Sequence, residues 1–110
     1  MGFLKYGGSA DTIEIPDELL GYLKVVVATK LRRGESFLLS WKHPVGDSVG
    51  RSTIWLQPSI PLRLEFESAE SAPLDPEQLQ RFANEANSSA GLTIDLVGYA
   101  LSGRTELKAA

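Results

Sequence analysis

The stretch SFLLSWK, residues 36–42, decides the fold of this chain, because its side chains alternate between an apolar and a more polar side. Phe37, Leu39 and Trp41 fall on one side, and Lys42 ends the other. Alternation with a period of two is typical of a half-buried strand. The stretch therefore predicts a strand with one side against the core and the other side open.

A second alternating stretch, RSTIWLQ at residues 51–57, predicts the next strand. If Ile54 and Leu56 share the core side of the first strand, alternation places Arg51 and Trp55 on the open side. An indole then lies among cations on an open sheet face. Sheet proteins that bind single-stranded nucleic acid use this combination to stack bases and hold phosphates.

The flanking segments predict six further elements from the spacing of apolar and turn-forming residues. Consecutive strands interrupted by two one-sided helices predict an α+β fold of order ββαβββαβ, with a two-layer, mostly antiparallel sheet and both helices on one face. We expect one domain at residues 1–97 and a partly disordered carboxyl-terminal tail at residues 98–110. The elements are strands at residues 3–6, 12–15, 62–66 and 92–96, a helix from Asp17 that ends at Gly34, and a helix from Pro76 that ends at Asn87.

Polar residues at the helix starts are expected to cap them. Asp17 offers its carboxylate to the free amides of the first helix. Asp75 does the same for the second helix, where Pro76 takes the first helical position and Gln78 reaches back in a capping box.

Composition limits the classes of function. The chain has 110 residues, a net charge of -3, one histidine and no cysteine, so disulfides, thiolate metal sites and histidine clusters are excluded. We expect no metal and no cofactor. The longest aliphatic run, residues 25–28, is far shorter than a bilayer crossing needs, and no secretory pattern opens the sequence. The expected location is the cytoplasm, with no membrane contact.

Basic residues are concentrated in the middle of the chain. Residues 24–63 hold seven Lys or Arg against two acids, and residues 65–85 hold six acids against one Arg. This asymmetry is compatible with an anion-binding surface or with an ordinary solvated surface. In the second case Trp55 packs under residues 58–61 or under the carboxyl-terminal tail, and the cations solvate its rim. The cations that end the first helix also favour its dipole. The candidate binding residues are Trp55, Arg51, Lys42, Arg63, Lys30, Arg32 and Arg33.

An enzymatic reading depends on GDSVG, residues 46–50, with His43 nearby as a base for Ser48. A nucleophile elbow needs a strand that turns sharply into a helix, whereas this loop leads into another strand. The pattern therefore predicts a turn, and no pair of carboxylates is marked for acid–base chemistry. We expect no catalytic residues.

Five segments of the sequence, at residues 4–7, 23–41, 50–52, 55–56 and 58–62, match a known family. Through these segments the chain resembles a family of short actinobacterial proteins that form a domain of unknown function and are often labelled ATP-dependent DNA ligase. The resemblance spans nearly all of residues 1–97 and implies no established catalytic residue. Ligases of that class attach AMP to the lysine of a Lys-x-Asp-Gly motif, and no lysine of this chain is followed by x-Asp-Gly.

Three functional hypotheses follow. The first is a non-catalytic binding or accessory module that contacts single-stranded nucleic acid or an acidic protein through the open sheet face. The second is a protein-interaction or homo-oligomerisation module, such as a homodimer, that uses the same face or an edge strand. The third is a small enzyme.

Overall fold

The order of helices and strands agrees with the sequence prediction. The computed structural model of the chain describes residues 1–7, 12–43, 46 and 49–96, so the predicted tail at residues 98–110 lies outside the described residues. The order ββαβββαβ and the α+β class are confirmed. The elements are β1 (Gly2–Tyr6), β2 (Thr12–Ile15), α1 (Asp17–Arg32), β3 (Phe37–Lys42), β4 (Arg51–Leu56), β5 (Leu62–Glu65), α2 (Pro76–Ala86) and β6 (Leu92–Ile94).

The strands form two three-stranded sheets, ordered β2-β1-β5 and β4-β3-β6, where the sequence predicted one sheet. Only β3 and β6 pair in parallel; every other strand pair in the described part of the chain is antiparallel. The break falls between β4 and β5, where Pro58 and Pro61 lack the amide hydrogens of a ladder. As a result β5 pairs with β1 instead of β4.

One described hydrogen bond joins the sheets near this break. The Tyr6 hydroxyl donates to the backbone carbonyl of Trp55. The Gly7 amide donates to the carbonyl of Pro61 at 2.8 Å and extends the pairing of β1 with β5 within their own sheet. Tyr6 ends β1 and Trp55 lies near the end of β4, so the hydroxyl bond holds the end of one sheet against the other.

One core fills the space between the helices and the inner faces of both sheets. The helices contact each other, α1 also contacts β1, and α2 contacts β3 and β6. Leu4 of β1, Leu39 of β3 and Leu92 of β6 are fully buried. Burying such side chains stabilises the fold by roughly 1.5–3 kcal/mol each. Both sheets therefore contribute to the same core despite their separation.

The two helix starts differ from each other. Asp75 accepts a hydrogen bond from the Glu77 amide at 3.2 Å, so the predicted cap of α2 is confirmed. The capping box is wrong in its second half, because the Asp75 amide donates to the Tyr22 hydroxyl at 2.8 Å and not to Gln78, whose side chain accepts from Arg81. The expected cap of α1 is also wrong, since Asp17 lies inside the helix and no side chain caps it.

Asp17 instead ties α1 to the segment that follows β5. Its carboxylate accepts the Glu67 amide at 3.1 Å and the Ser68 amide at 2.9 Å. These two bonds hold the pKa of Asp17 below its usual value, and the bond from the Ser68 amide lowers it more than the bond from the Glu67 amide. The carboxylate thus satisfies backbone donors that are far from it in sequence.

Candidate functional site

The two tryptophans lie on opposite sides of the β4-β3-β6 sheet, as predicted. Leu38 is directly opposite Trp55 and Trp41 is opposite Ser52, so strand alternation separates the indoles. Trp41 packs against the core and is half-buried, whereas 53% of Trp55 is exposed. We call the side that carries Trp55 the outer face. The structure does not show Trp55 packed under residues 58–61, and the carboxyl-terminal tail, the other predicted cover, lies outside the described residues.

Two cations lie directly opposite each other on the outer face. Lys42 pairs with Arg51 at the ends of β3 and β4, and both side chains are exposed. The neighbouring pair is joined by a bond from the His43 amide to the Gly50 carbonyl, so Lys42 and Arg51 occupy a closely spaced, non-hydrogen-bonded pair. Like charges at such a position destabilise a sheet.

No ion pair among the described residues relieves this repulsion at Lys42 or Arg51. Arg51 and Trp55 are four residues apart on one strand, which corresponds to about 13 Å. The outer face therefore combines two opposed cations, which have no ion pair among the described residues, with an exposed indole on the strand of Arg51.

Arg63 is not on the outer face, in contrast to the sequence prediction, because β5 belongs to the other sheet. It lies opposite Lys5 on the solvent-facing side of β1 and β5. Lys5 forms an ion pair with Glu65 at 2.6 Å, which holds the pKa of Glu65 below its usual value. Charges on that sheet are thus mixed and partly neutralised.

Lys30 lies on the inner side of the sheet. Its ammonium donates to the side-chain oxygen of Asn87 at 2.7 Å, lies 3.7 Å from Glu35, and lies 5.8 Å from the centre of the Phe37 ring. Phe37 is buried, so these contacts place Lys30 away from Trp55. Lys30 therefore joins the end of α1 to the end of α2. Arg32 and Arg33 are exposed at the same end of α1.

Comparison with known proteins places this arrangement in a family. A family model described as Domain of unknown function (DUF7882) matches residues 1–96. The chain belongs to this family. The match spans both sheets of the DUF7882 domain and all of the outer face. No match was found among the curated proteins or the solved structures.

The enzymatic hypothesis pairs His43 with Ser48, but the partner of His43 that the structure of the DUF7882 domain describes is Ser52. Ser48 lies outside the described residues. The imidazole Nε2 lies 2.6 Å from the Ser52 hydroxyl oxygen, and its ring centre lies 6.2 Å from that of Trp41. These contacts hold the ends of β3 and β4 together on the inner side. Sequence reasoning missed the pair because it needs the register between the strands.

Sequence reasoning also missed Thr93. Its neighbours Leu92 and Ile94 are buried, which indicates that Thr93 faces away from the core. The parallel pairing of β6 with β3 then sets Thr93 opposite Ser40 on the outer face. The sequence of a three-residue strand does not indicate which strand it pairs with. Alternation alone therefore does not predict that Thr93 lies beside Ser40.

Other kinds of site find no support in the described part of the chain. No group of three His, Asp or Glu residues there could hold a metal ion. Neither described helix is long and apolar enough to cross a membrane.

Proposed function

We propose that the DUF7882 domain is a non-catalytic binding module whose outer face binds single-stranded nucleic acid. One observation carries the proposal: Lys42 and Arg51 are opposed on the face that exposes Trp55, and neither forms an ion pair with an acid in the described part of the chain. Two cations held at close range favour an anionic ligand, because a bound phosphate lowers their mutual repulsion.

Trp55 favours nucleic acid over a simple anion. An exposed indole can stack on an unpaired base, and such stacking contributes about 1–3 kcal/mol per base. Bases inside a duplex are already stacked, so this contact requires a single strand. Phosphate contacts and base stacking then act on one strand, with the phosphates at Lys42 and Arg51 and a base at Trp55.

Binding of a short dye-labelled oligouridylate, followed by fluorescence anisotropy at low salt, tests the proposal. We expect Trp55→Ala to weaken binding by about 5- to 150-fold, which corresponds to the loss of about 1–3 kcal/mol of stacking. Trp41→Phe is the matched control, because it removes the indole on the other side of the sheet and should leave the affinity unchanged. No binding by the unaltered chain at low salt would refute the proposal.

The salt dependence of the same binding counts the phosphate contacts. Two contacts predict a slope of log K against log salt of about -1.4 for a single strand, or about a sevenfold loss between roughly 50 and 200 mM salt. Arg51→Gln should bring the slope to about -0.7. Arg63→Gln, an exposed arginine of the other sheet, should leave it unchanged.

Homo-oligomerisation through β4 is the second candidate, because β4 is an edge strand of its sheet. The backbone groups of its even-numbered residues form the hydrogen bonds to β3, so those of Arg51 and Thr53 point to the free edge. The Tyr6 hydroxyl occupies the Trp55 carbonyl on that edge and limits pairing with another strand. A stable dimer in light scattering, with Trp55 protected and no affinity for oligouridylate, would favour this candidate.

A further inference from the structure

A row of hydroxyl side chains crosses the outer face between the cations and the indole. Thr53, Ser40 and Thr93 are neighbours on β4, β3 and β6, and the register places them side by side. Thr53 lies two residues from Arg51 and two from Trp55, or about 7 Å from each along the strand.

Hydrogen bonding within the hydroxyl row uses only part of its donors and acceptors. The Ser40 and Thr53 hydroxyl oxygens lie 2.7 Å apart, so one of them donates to the other. Each hydroxyl has one hydrogen and two lone pairs, which leaves this pair with one free donor and several free acceptor positions. Thr93, exposed beside Ser40, adds a third hydroxyl. The row can therefore both donate to and accept from a ligand.

The order of groups along β4 matches the order of groups in a nucleotide, where the sugar lies between the base and the phosphate. With a base on Trp55 and phosphates at Lys42 and Arg51, the sugar lies over the hydroxyl row. We propose that this row contacts the ribose 2′-hydroxyl and makes the outer face selective for RNA over DNA. The 2′-hydroxyl is a donor and an acceptor, as the row is, and it distinguishes RNA from DNA. This inference rests on the proposed function.

Oligouridylate and oligodeoxyuridylate of equal length, which differ only in the 2′-hydroxyl, test the inference. We expect the unaltered chain to bind the RNA about two- to twelvefold more tightly, the effect of one neutral hydrogen bond. Thr53→Val keeps the branched shape and removes the hydroxyl, so it should abolish the preference and leave the affinity for oligodeoxyuridylate unchanged. Thr12→Val, an exposed threonine of β2 in the other sheet, is the control and should retain the preference.

The outcomes separate the inference from the proposed function. Equal binding of both oligomers by the unaltered chain overturns the inference and leaves the binding function standing. Retention of the preference in Thr53→Val, and in Ser40→Ala as a second variant if the first fails to fold, also overturns it. Binding of neither oligomer overturns both.

Discussion

Replacement of Gly91 by alanine is expected to lower the free energy of unfolding by about 2–5 kcal/mol. Gly91 has a φ of +78°, a left-handed conformation that costs an L-residue roughly 1–2 kcal/mol. A Cβ atom there would lie 2.4 Å from the Leu38 carbonyl oxygen and 2.7 Å from the Leu38 Cβ. Since both atoms belong to the central strand, the contact is relieved only if β3 or the start of β6 shifts. Urea unfolding should show a lower midpoint with an unchanged slope.

Gly34→Ala is the matched control. Gly34 has a φ of +74°, close to that of Gly91, and no atom lies within 4 Å of an added Cβ. It should therefore lose only the conformational cost, about 1–2 kcal/mol. Equal losses of stability in the two variants would contradict the close approach of Gly91 to β3.

Leu39→Ala should destabilise the domain by about 2–5 kcal/mol, the range for truncation of a buried leucine. Leu39 is fully buried on the central strand of its sheet, with Ile54 and Leu92 opposite it on the two sides. Truncation removes apolar contacts and leaves a cavity between the sheet and α2. The measurement is the change in the urea midpoint at constant slope.

The adjacent residue provides the control for this prediction. Leu38 is half-buried on the outer face, opposite Trp55. Leu38→Ala removes the same atoms from a side without a core and should cost clearly less than Leu39→Ala. If the two losses were equal, or if their order were reversed, the assignment of the inner and outer faces would be wrong.

The sides of the strands could be predicted from the sequence because alternation fixes them locally. Trp41 is an even number of residues from the buried Leu39 on its strand, whereas Trp55 is an odd number from the buried Leu56 on the paired strand. Alternation alone therefore places Trp41 against the core and Trp55 on the outer face. The start of α2 was predictable for a similar reason, since Asp75 and Pro76 act within one turn.

The partners of the strands could not be predicted in the same way. Alternation shows which side of β5 faces the core, but it does not show whether β5 pairs with β4 or with β1. The sequence therefore predicts one sheet where the structure has two. The same gap misplaced Arg63 relative to Trp55. Asp17 was misread for a related reason, because its acceptor role depends on amides about fifty residues away, at Glu67 and Ser68.

The cations of the candidate site differ in whether a neighbouring side chain binds them. A charge count predicts a basic middle segment but not which of its members have partners. Lys30 is held by Asn87 and Glu35, whereas Lys42 and Arg51 face each other. Their difference lies in tertiary contacts, which the order of residues along the chain does not reveal.

Acrylamide quenching of two single-tryptophan variants, with and without oligouridylate, tests the central claim most directly. In Trp41→Phe the remaining indole is Trp55, and in Trp55→Phe it is Trp41. We expect Trp55 to be quenched more strongly than Trp41 in the free domain, and saturating oligouridylate to protect Trp55 alone. Quenching of Trp55 that is as weak as that of Trp41, or that is unchanged by the bound oligomer, would contradict the outer face as the binding surface.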